Sequence, residues 1–197
     1  LKIGYVEQFS IFDSCQGLKR SIRETAESLR KLGHDVVETQ IPQFDDGVRI
    51  YLSIQSANYD YTKDIKDLLD KSEPPIPEYK IVLQVNLMPS WLRPFQKPIL
   101  KAMNRERMLQ YANYCKPLTV NELYHLQSEL VAMNQEFDEW MMENKFDALV
   151  IPPSALPAYR NSQFQDLTLP LYTLVFNTLD VPAGIVPVSK VMPDETF

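Results

Sequence analysis

Residues Leu1–Pro42 read LKIGYVEQFSIFDSCQGLKRSIRETAESLRKLGHDVVETQIP, and this stretch indicates the fold class. The apolar run Ile3–Glu7 predicts a short strand, and HDVVETQIP, which begins at His34 and is stopped by Pro42, predicts a second one. The strand–helix–strand order over residues 1–43 predicts a βαβ unit. We therefore expect an α/β fold with a mixed, mostly parallel sheet that is covered by helices.

The helix between these strands has recognisable ends and one apolar face. Asp13 and Ser14 are residue types that cap helix N-termini, and Gly33 is the type that ends a helix. Apolar residues recur at spacings of three and four, which predicts a single buried stripe. That stripe consists of Leu18, Ile22, Ala26, Leu29 and Leu32.

Composition excludes several classes of function. The 5 glycines are scattered, so neither GxGxxG nor a Walker loop is present among the 197 residues. A net charge of −6 argues against nucleic-acid binding. The 2 cysteines, Cys15 and Cys115, form no CxxC motif, which favours reduced thiols inside the cell over a zinc site or a disulfide framework. No cofactor and no metal are expected.

The rest of the chain predicts further elements and a cut at each end. SEPPIPE (Ser72–Glu78) is a stiff linker, and Thr119–Glu122 is a capping box that starts a long core helix over residues 119–145. Residues 146–191 are expected to hold buried strands and a loop, with FDALVIPP as the first of those strands. The chain opens without Met and closes without a structural end, so we expect a piece of a longer protein.

Residues 83–115 are interrupted by prolines and are locally basic. Between Met88 and Met108 five basic residues stand against Glu106 alone, next to Trp and Phe. This mixture is typical of helices that lie in a bilayer interface, although a helical hairpin packed on the protein's own body has the same pattern. The candidate membrane residues are Trp91, Leu92, Arg93, Phe95, Lys97, Ile99 and Leu100.

No catalytic constellation stands out from the residues alone. His125 is predicted to lie inside a helix, and nothing in the spacing makes it the base for Cys115. Ser154 lacks the GxSxG elbow of a hydrolase nucleophile. No stretch of the sequence is long and apolar enough to cross a bilayer.

Five motifs in order nevertheless resemble the C-terminal region of the amidase-signature hydrolases, most closely those that hydrolyse fatty acyl amides. These motifs are KIGYVE with LRKLGHDVVE, MPSWL, ELYHLQSEL, FDALVIPPSALPA, and NTLDVPAGIVPVSKV. The resemblance covers essentially the whole chain, and it implies that NTLDVPAGIVPVSKV is a buried strand in which Gly184 lets backbones approach closely. The family's two Ser and one Lys that perform catalysis precede the matched region, so no catalytic residue is expected in this chain.

The resemblance also implies substrate-binding positions along an acyl-chain channel. Alignment on LDVPAG, ELYHL and MPSW places apolar channel residues from the cap and from the helix before PAG onto this chain, although plain core packing explains each of them as well. Those residues are Leu174, Leu167, Pro170, Tyr111, Val82, and Tyr59 or Asn58.

The function that the resemblance implies is hydrolysis of fatty acyl amides by the longer parent, with this segment forming the channel wall and the membrane cap. The implied partners are a fatty acyl amide, a membrane surface and the remainder of the amidase domain, and a homodimer is compatible with the family. The implied location is intracellular, peripheral to an endomembrane. Two alternatives stay open: a non-catalytic amidase-like interaction module and a soluble amidase of small amides.

Overall fold

The computed structural model describes residues 1–57, 98, 101, 114, 116–158 and 171–195. The chain forms two compact units, Leu1–Tyr51 with Gln127–Ala158 and Thr168–Phe197, and Leu52–Leu126 with Tyr159–Leu167. The description below concerns mainly the first unit, because most of the second lies outside the described residues. The predicted cap, residues 83–115, falls in that second unit and is likewise outside, apart from three isolated positions.

The described residues contain a three-stranded parallel sheet in the order β2-β1-β3. The strands are β1 (Lys2–Tyr5), β2 (Asp35–Glu38) and β3 (Ala148–Val150). Ile3 is paired with Val36 on one side and Ala148 on the other, so the central strand has both edges occupied. The predicted βαβ unit is present, and the fold is mixed α/β.

Helix α1 (Gln16–Lys31) covers the sheet through Ile22 and Ala26, which join Ile3, Tyr5 and Val36 in one buried cluster. Leu29 packs against the same cluster. Leu32 does not belong to it, since its side chain is 74% exposed. The predicted stripe is therefore one turn too long, because the helix ends before Leu32 and the chain turns there.

Both ends of α1 are informative. Gly33 adopts a φ of +89°, and the N–H groups of Gly33 and His34 donate to the carbonyls of Arg30 and Leu29, which is the Schellman ending expected from glycine. At the other end the prediction was wrong. The N-cap residue is Cys15, and it makes no side-chain capping bond. Ser14 is buried, and its hydroxyl is hydrogen-bonded to Tyr172 instead.

Three further helices are described: α2 (Phe44–Gln55), α3 (Val120–Asn144) and α4 (Leu171–Thr178). The predicted capping box starts α3, because the Glu122 N–H donates to the Thr119 hydroxyl at 3.2 Å and the Thr119 N–H donates to the Glu122 carboxylate at 2.8 Å. These bonds from Thr119 hold the pKa of Glu122 below its usual value. The buried apolar side chains of α3 are Leu126, Met133 and Phe137.

The expected buried strand at VPAGIVPVSK is absent. Residues 181–190 carry no helix, strand or turn, and all except Val181 are exposed. A Cβ built on Gly184 would meet no described atom within 4 Å, so this glycine makes no close backbone approach. Pro182 and Pro187 lack the N–H that a sheet ladder uses, and both edges of β1 are already paired. Within 146–191, the strand that the structure does contain is β3, and it is only half-buried.

Candidate functional site

Helix α4 holds the one predicted substrate-binding residue that the described residues include. Leu171, Tyr172, Val175 and Phe176 form its buried face, whereas Leu174 lies at the margin of that face and is partly exposed. The Leu174 carbonyl accepts a hydrogen bond from the Thr178 hydroxyl at 3.1 Å, so the position is regular helix. Leu174 is therefore half-buried on a regular helix, and its assignment as a channel residue stays a prediction.

The other predicted site residues lie outside the described residues. They are the channel candidates Tyr59, Asn58, Val82, Tyr111, Leu167 and Pro170, and the membrane candidates Trp91, Leu92, Arg93, Phe95, Lys97, Ile99 and Leu100. Their assignments stay predictions.

Beneath Leu174, a buried tyrosine fixes α4 to the beginning of the chain. The Tyr172 hydroxyl donates to the Phe12 carbonyl, accepts from the Phe9 N–H at 3.3 Å, and is hydrogen-bonded to the Ser14 hydroxyl at 3.3 Å. These groups are separated from Tyr172 by about 160 residues of sequence. Sequence reasoning missed this contact, because a Tyr within an apolar helix gives no signal of a partner that far away.

Aromatic rings pack around Tyr172. The Phe9 ring stacks on Phe44 with centroids 3.9 Å apart, and Tyr172 meets Phe9 edge-on at 4.8 Å. Phe176 completes the cluster at 6.2 Å from Phe9. Aromatic pairs at these separations add stability beyond the area that they bury. The cluster orients α4 and hence Leu174.

Burial favours the protonated form of the Tyr172 hydroxyl. Loss of solvent around the phenol raises its pKa above the ordinary 10.0, because the charged phenolate is poorly solvated there. The hydroxyl therefore stays protonated at neutral pH and acts as a hydrogen-bond donor. This arrangement provides orientation of α4, and it supplies no nucleophile.

Two other side chains that could act as nucleophiles, Ser154 and Cys15, have structural roles. The Ser154 hydroxyl accepts from the Leu156 N–H at 3.3 Å, as in a local turn, and Cys15 is buried at the N-cap of α1. In the part of the chain that the structure describes, no group of three or more His, Cys, Asp or Glu side chains is placed to hold a metal. No helix among the described residues has the length and apolar character needed to cross a membrane.

A polar depression lies at the carboxyl ends of β1 and β2, where parallel sheets often bind ligands. Both arginines that line it are held by neighbouring groups. Arg23 forms a bidentate ion pair with Glu7, at 2.6 and 2.7 Å, and Arg30 donates to the Val36 carbonyl while its guanidinium lies 5.5 Å from the Tyr5 ring centre. These contacts have a structural role, because they hold the end of the sheet to α1.

The described residues form a mixed α/β fold in which a buried tyrosine, Tyr172, fixes helix α4 to the beginning of the chain. The sequence model of the amidase family matches residues 1–195, and the chain belongs to that family. This result confirms the family resemblance seen in the sequence motifs.

Two similar proteins are named as fatty acid amide hydrolases. The chain is 24% identical to Fatty acid amide hydrolase 1 of Caenorhabditis elegans over 196 residues, which is 97% of this chain and 33% of that protein. It is 23% identical to Fatty-acid amide hydrolase 1 of Sus scrofa over 197 residues, again covering 33% of that protein. The chain thus spans one third of the length of these relatives.

A solved structure of a fatty acid amide hydrolase has the same fold. It superimposes with a TM-score of 0.66 at 16% sequence identity, over 91% of this chain and 26% of that one. At this identity the likeness concerns the fold alone.

Proposed function

We propose that these residues form the acyl-channel wall and membrane-facing part of a hydrolase that cleaves fatty acyl amides. The observation that carries the proposal is the match of nearly the whole chain to two fatty acid amide hydrolases together with the amidase family match. The partly exposed Leu174, on a helix whose orientation is fixed from beneath by Tyr172, supports a role in lining a channel.

The proposed contribution of this segment is to remove the acyl chain from water. Each methylene that enters an apolar channel gains about 0.8 kcal/mol, so a long acyl chain binds much more tightly than a short one. The reaction itself is acyl transfer in this proposal: a serine supplied outside residues 1–197 attacks the amide carbonyl, backbone N–H groups stabilise the oxyanion, and water then hydrolyses the acyl-enzyme.

The first experiment reads the gene upstream of the codon for Leu1 and expresses the complete open reading frame. A Gly- and Ser-rich segment with two Ser and a Lys is expected there, and the purified protein should hydrolyse a long-chain primary amide. If the reading frame contains no such segment, the hydrolase proposal fails and the non-catalytic amidase-like module takes its place.

The second experiment separates long-chain from small amides. Competition for hydrolysis is measured with primary amides that differ only in acyl length. Leu174→Trp should weaken inhibition by long amides and leave short ones unchanged, because the larger side chain narrows the channel. Asn177→Trp is the control, since Asn177 is exposed on the same helix. Equal inhibition by long and short amides would support a small-amide amidase instead.

The third experiment tests the membrane cap with anionic vesicles in a flotation assay. Replacing Trp91, Arg93, Phe95 and Lys97 together by Ala should release the protein, because interfacial helices bind through apolar area and basic charge. The control replaces Lys31, Leu32, Val131 and Lys190 by Ala, which also removes two cations and two apolar side chains but outside residues 83–115. Release by both variants, or by neither, would contradict a role for residues 83–115.

A further inference from the structure

The turn that follows β1, residues 9–14, is held in place by parts of the fold other than α4. The Phe9 ring stacks on Phe44 of α2 with the two ring planes only 6° apart. Directly after the turn, the Cys15 N–H donates to the Ala155 carbonyl at 2.9 Å, which ties the turn to the loop beyond β3. The turn is therefore a fixed reference to which α4 can be attached.

The Tyr172 side chain attaches α4 to this turn through directional bonds. Its hydroxyl meets three groups of the turn, which are the Phe9 N–H, the Phe12 carbonyl and the Ser14 hydroxyl. Hydrogen bonds weaken steeply when their angle is distorted, and groups that are buried without a partner lose free energy. Since Tyr172 is fully buried, α4 cannot rotate far without that loss.

The apolar contacts of α4 constrain it in a different way. A Cβ added on Gly47 would lie 2.8 Å from Cγ1 of Val175, so this contact sets how closely α4 approaches α2. Burial of apolar area is non-directional. The apolar contacts therefore fix the spacing of the two helices, whereas the hydrogen bonds of Tyr172 fix the rotation of α4 about its axis.

The rotation of α4 determines how far Leu174 projects from the protein. Successive residues of an α-helix are about 100° apart around the axis, so Leu174 stands roughly 200° from Tyr172. Leu174 is only partly exposed, at the margin of the buried face. A small rotation of α4 would consequently bury this side chain or expose it further.

We propose that Tyr172 is a positioning residue, which sets the rotation of α4 and, through Leu174, the preference for long over short acyl chains. This inference rests on the proposed function, because it takes Leu174 as part of the wall of the acyl channel. A residue that only stabilised the fold would affect amides of every length alike. Tyr172 acts on long amides, because short ones do not extend to Leu174.

The substitution Tyr172→Phe separates the directional contribution from the apolar one. The Tyr172 ring meets the Phe9 ring edge-on, with centroids 4.8 Å apart and an angle of 89° between the planes. Phenylalanine keeps this ring and its burial, and it removes only the hydroxyl. Any change in the position of Leu174 can then be assigned to the lost hydrogen bonds.

The first measurement uses the protein of the complete reading frame and primary amides that differ only in acyl length. Tyr172→Phe should raise KM for a long amide by roughly 4- to 15-fold, which corresponds to lost contact with one or two methylenes. The KM for a short amide and kcat should stay unchanged. Ser14→Ala, which leaves two of the three partners of Tyr172, should raise KM for the long amide by less.

The control variant is Ile22→Val, in the buried cluster between α1 and the sheet. It lowers stability to a comparable extent without touching the hydrogen bonds of Tyr172. Both KM values should stay at the wild-type level in this variant.

A second measurement requires no activity. The alkylation rate of the Leu174→Cys thiol is followed by mass spectrometry of its peptide, with and without Tyr172→Phe. The rate should rise roughly fivefold in the presence of Tyr172→Phe, because α4 is then less constrained in rotation. It should not change in the presence of Ile22→Val.

The outcomes distinguish this inference from the proposed function. A wild-type protein that hydrolyses no amide contradicts the proposed function and the effect on acyl length with it, while the alkylation rate still tests whether Tyr172 holds α4. If the wild type is active but Tyr172→Phe raises KM equally for long and short amides, this inference alone is wrong. An alkylation rate that Tyr172→Phe leaves unchanged overturns it as well.

Discussion

Strand β1 and the segment Pro182–Val188 are both short and rich in apolar residues, yet their environments are opposite. β1 is hydrogen-bonded along both edges and Ile3 is 5% exposed, whereas Ile185 in the other segment is 79% exposed. From their composition alone, both segments would be expected to be buried. The difference shows that burial of a strand-like sequence is decided by which edges are available to it, and by where prolines remove donors from its own.

The largest expected difference in stability is between two isoleucine-to-alanine substitutions, one in each region. Ile3→Ala should lower the free energy of unfolding by about 2–5 kcal/mol, because it leaves a cavity in the sheet core. Ile185→Ala should change it by no more than about 0.5 kcal/mol in the monomer. Urea unfolding at low protein concentration measures both. Similar losses for the two variants would mean that the segment is buried in solution.

The tie between α4 and the beginning of the chain should contribute next. Tyr172→Phe leaves the buried Ser14 hydroxyl and the Phe12 carbonyl without this partner, which destabilises by about 1–3 kcal/mol. A double-mutant cycle with Ser14→Ala isolates the direct interaction.

Tyr172 also predicts a dependence on pH. Because burial raises its pKa in the folded state, its contribution is complete below pH 10.0 and is lost as the pH rises through the higher folded value. Unfolding followed above pH 10.0 should show this loss in the wild type and a smaller one in Tyr172→Phe. Parallel pH curves for the two proteins would contradict it.

Two glycines allow a finer comparison. In α2, a Cβ on Gly47 would lie 2.8 Å from Cγ1 of Val175, which is itself fully buried and β-branched. Gly47→Ala should therefore destabilise by about 1 kcal/mol despite alanine's better helix propensity. Gly184→Ala should be neutral or stabilise by up to about 1 kcal/mol, because the site is open. Thermal unfolding distinguishes the two signs.

The smallest effect is local, at the Arg20 clamp, by which we mean the contacts of the Arg20 guanidinium with the Glu195 carboxylate and the Lys190 carbonyl. Glu195→Ala should speed hydrogen exchange at the Met192 amide with little change in global stability, and Glu24→Ala is the control because Glu24 contacts Arg20 but not the clamped segment. The hydrogen bond from Arg20 lowers the pKa of Glu195 to about 2, so the clamp is complete above the ordinary value of 4.5 and weakens as the pH falls towards 2. Unchanged exchange in Glu195→Ala would show that Arg20 is not what holds residues 189–195.

Local signals in the sequence predicted the elements whose stabilising contacts are local. The Schellman ending at Gly33 and the capping box at Thr119 depend on residues within a few positions, and the βαβ unit pairs strands that are separated by one helix; each is present. Ser14 was expected to cap α1 because its type favours caps, but a hydroxyl more than 150 positions later captures it.

The candidate site was less predictable for the same reason. Leu174 could be named through family resemblance, whereas the aromatic cluster that orients its helix joins residues from both ends of the chain. The exposed position of residues 182–188 could not be predicted from their composition, since it depends on the strands that are available nearby.

The two partners of β1 also set an order of events during synthesis. β2 follows within one helix, but β3 begins only at Ala148, so β3 can pair with β1 only after the intervening residues have been made. At about 5–20 residues per second, that interval is on the order of ten seconds. During this time β3 is not yet available to β1, and pairing between strands so far apart in sequence slows folding.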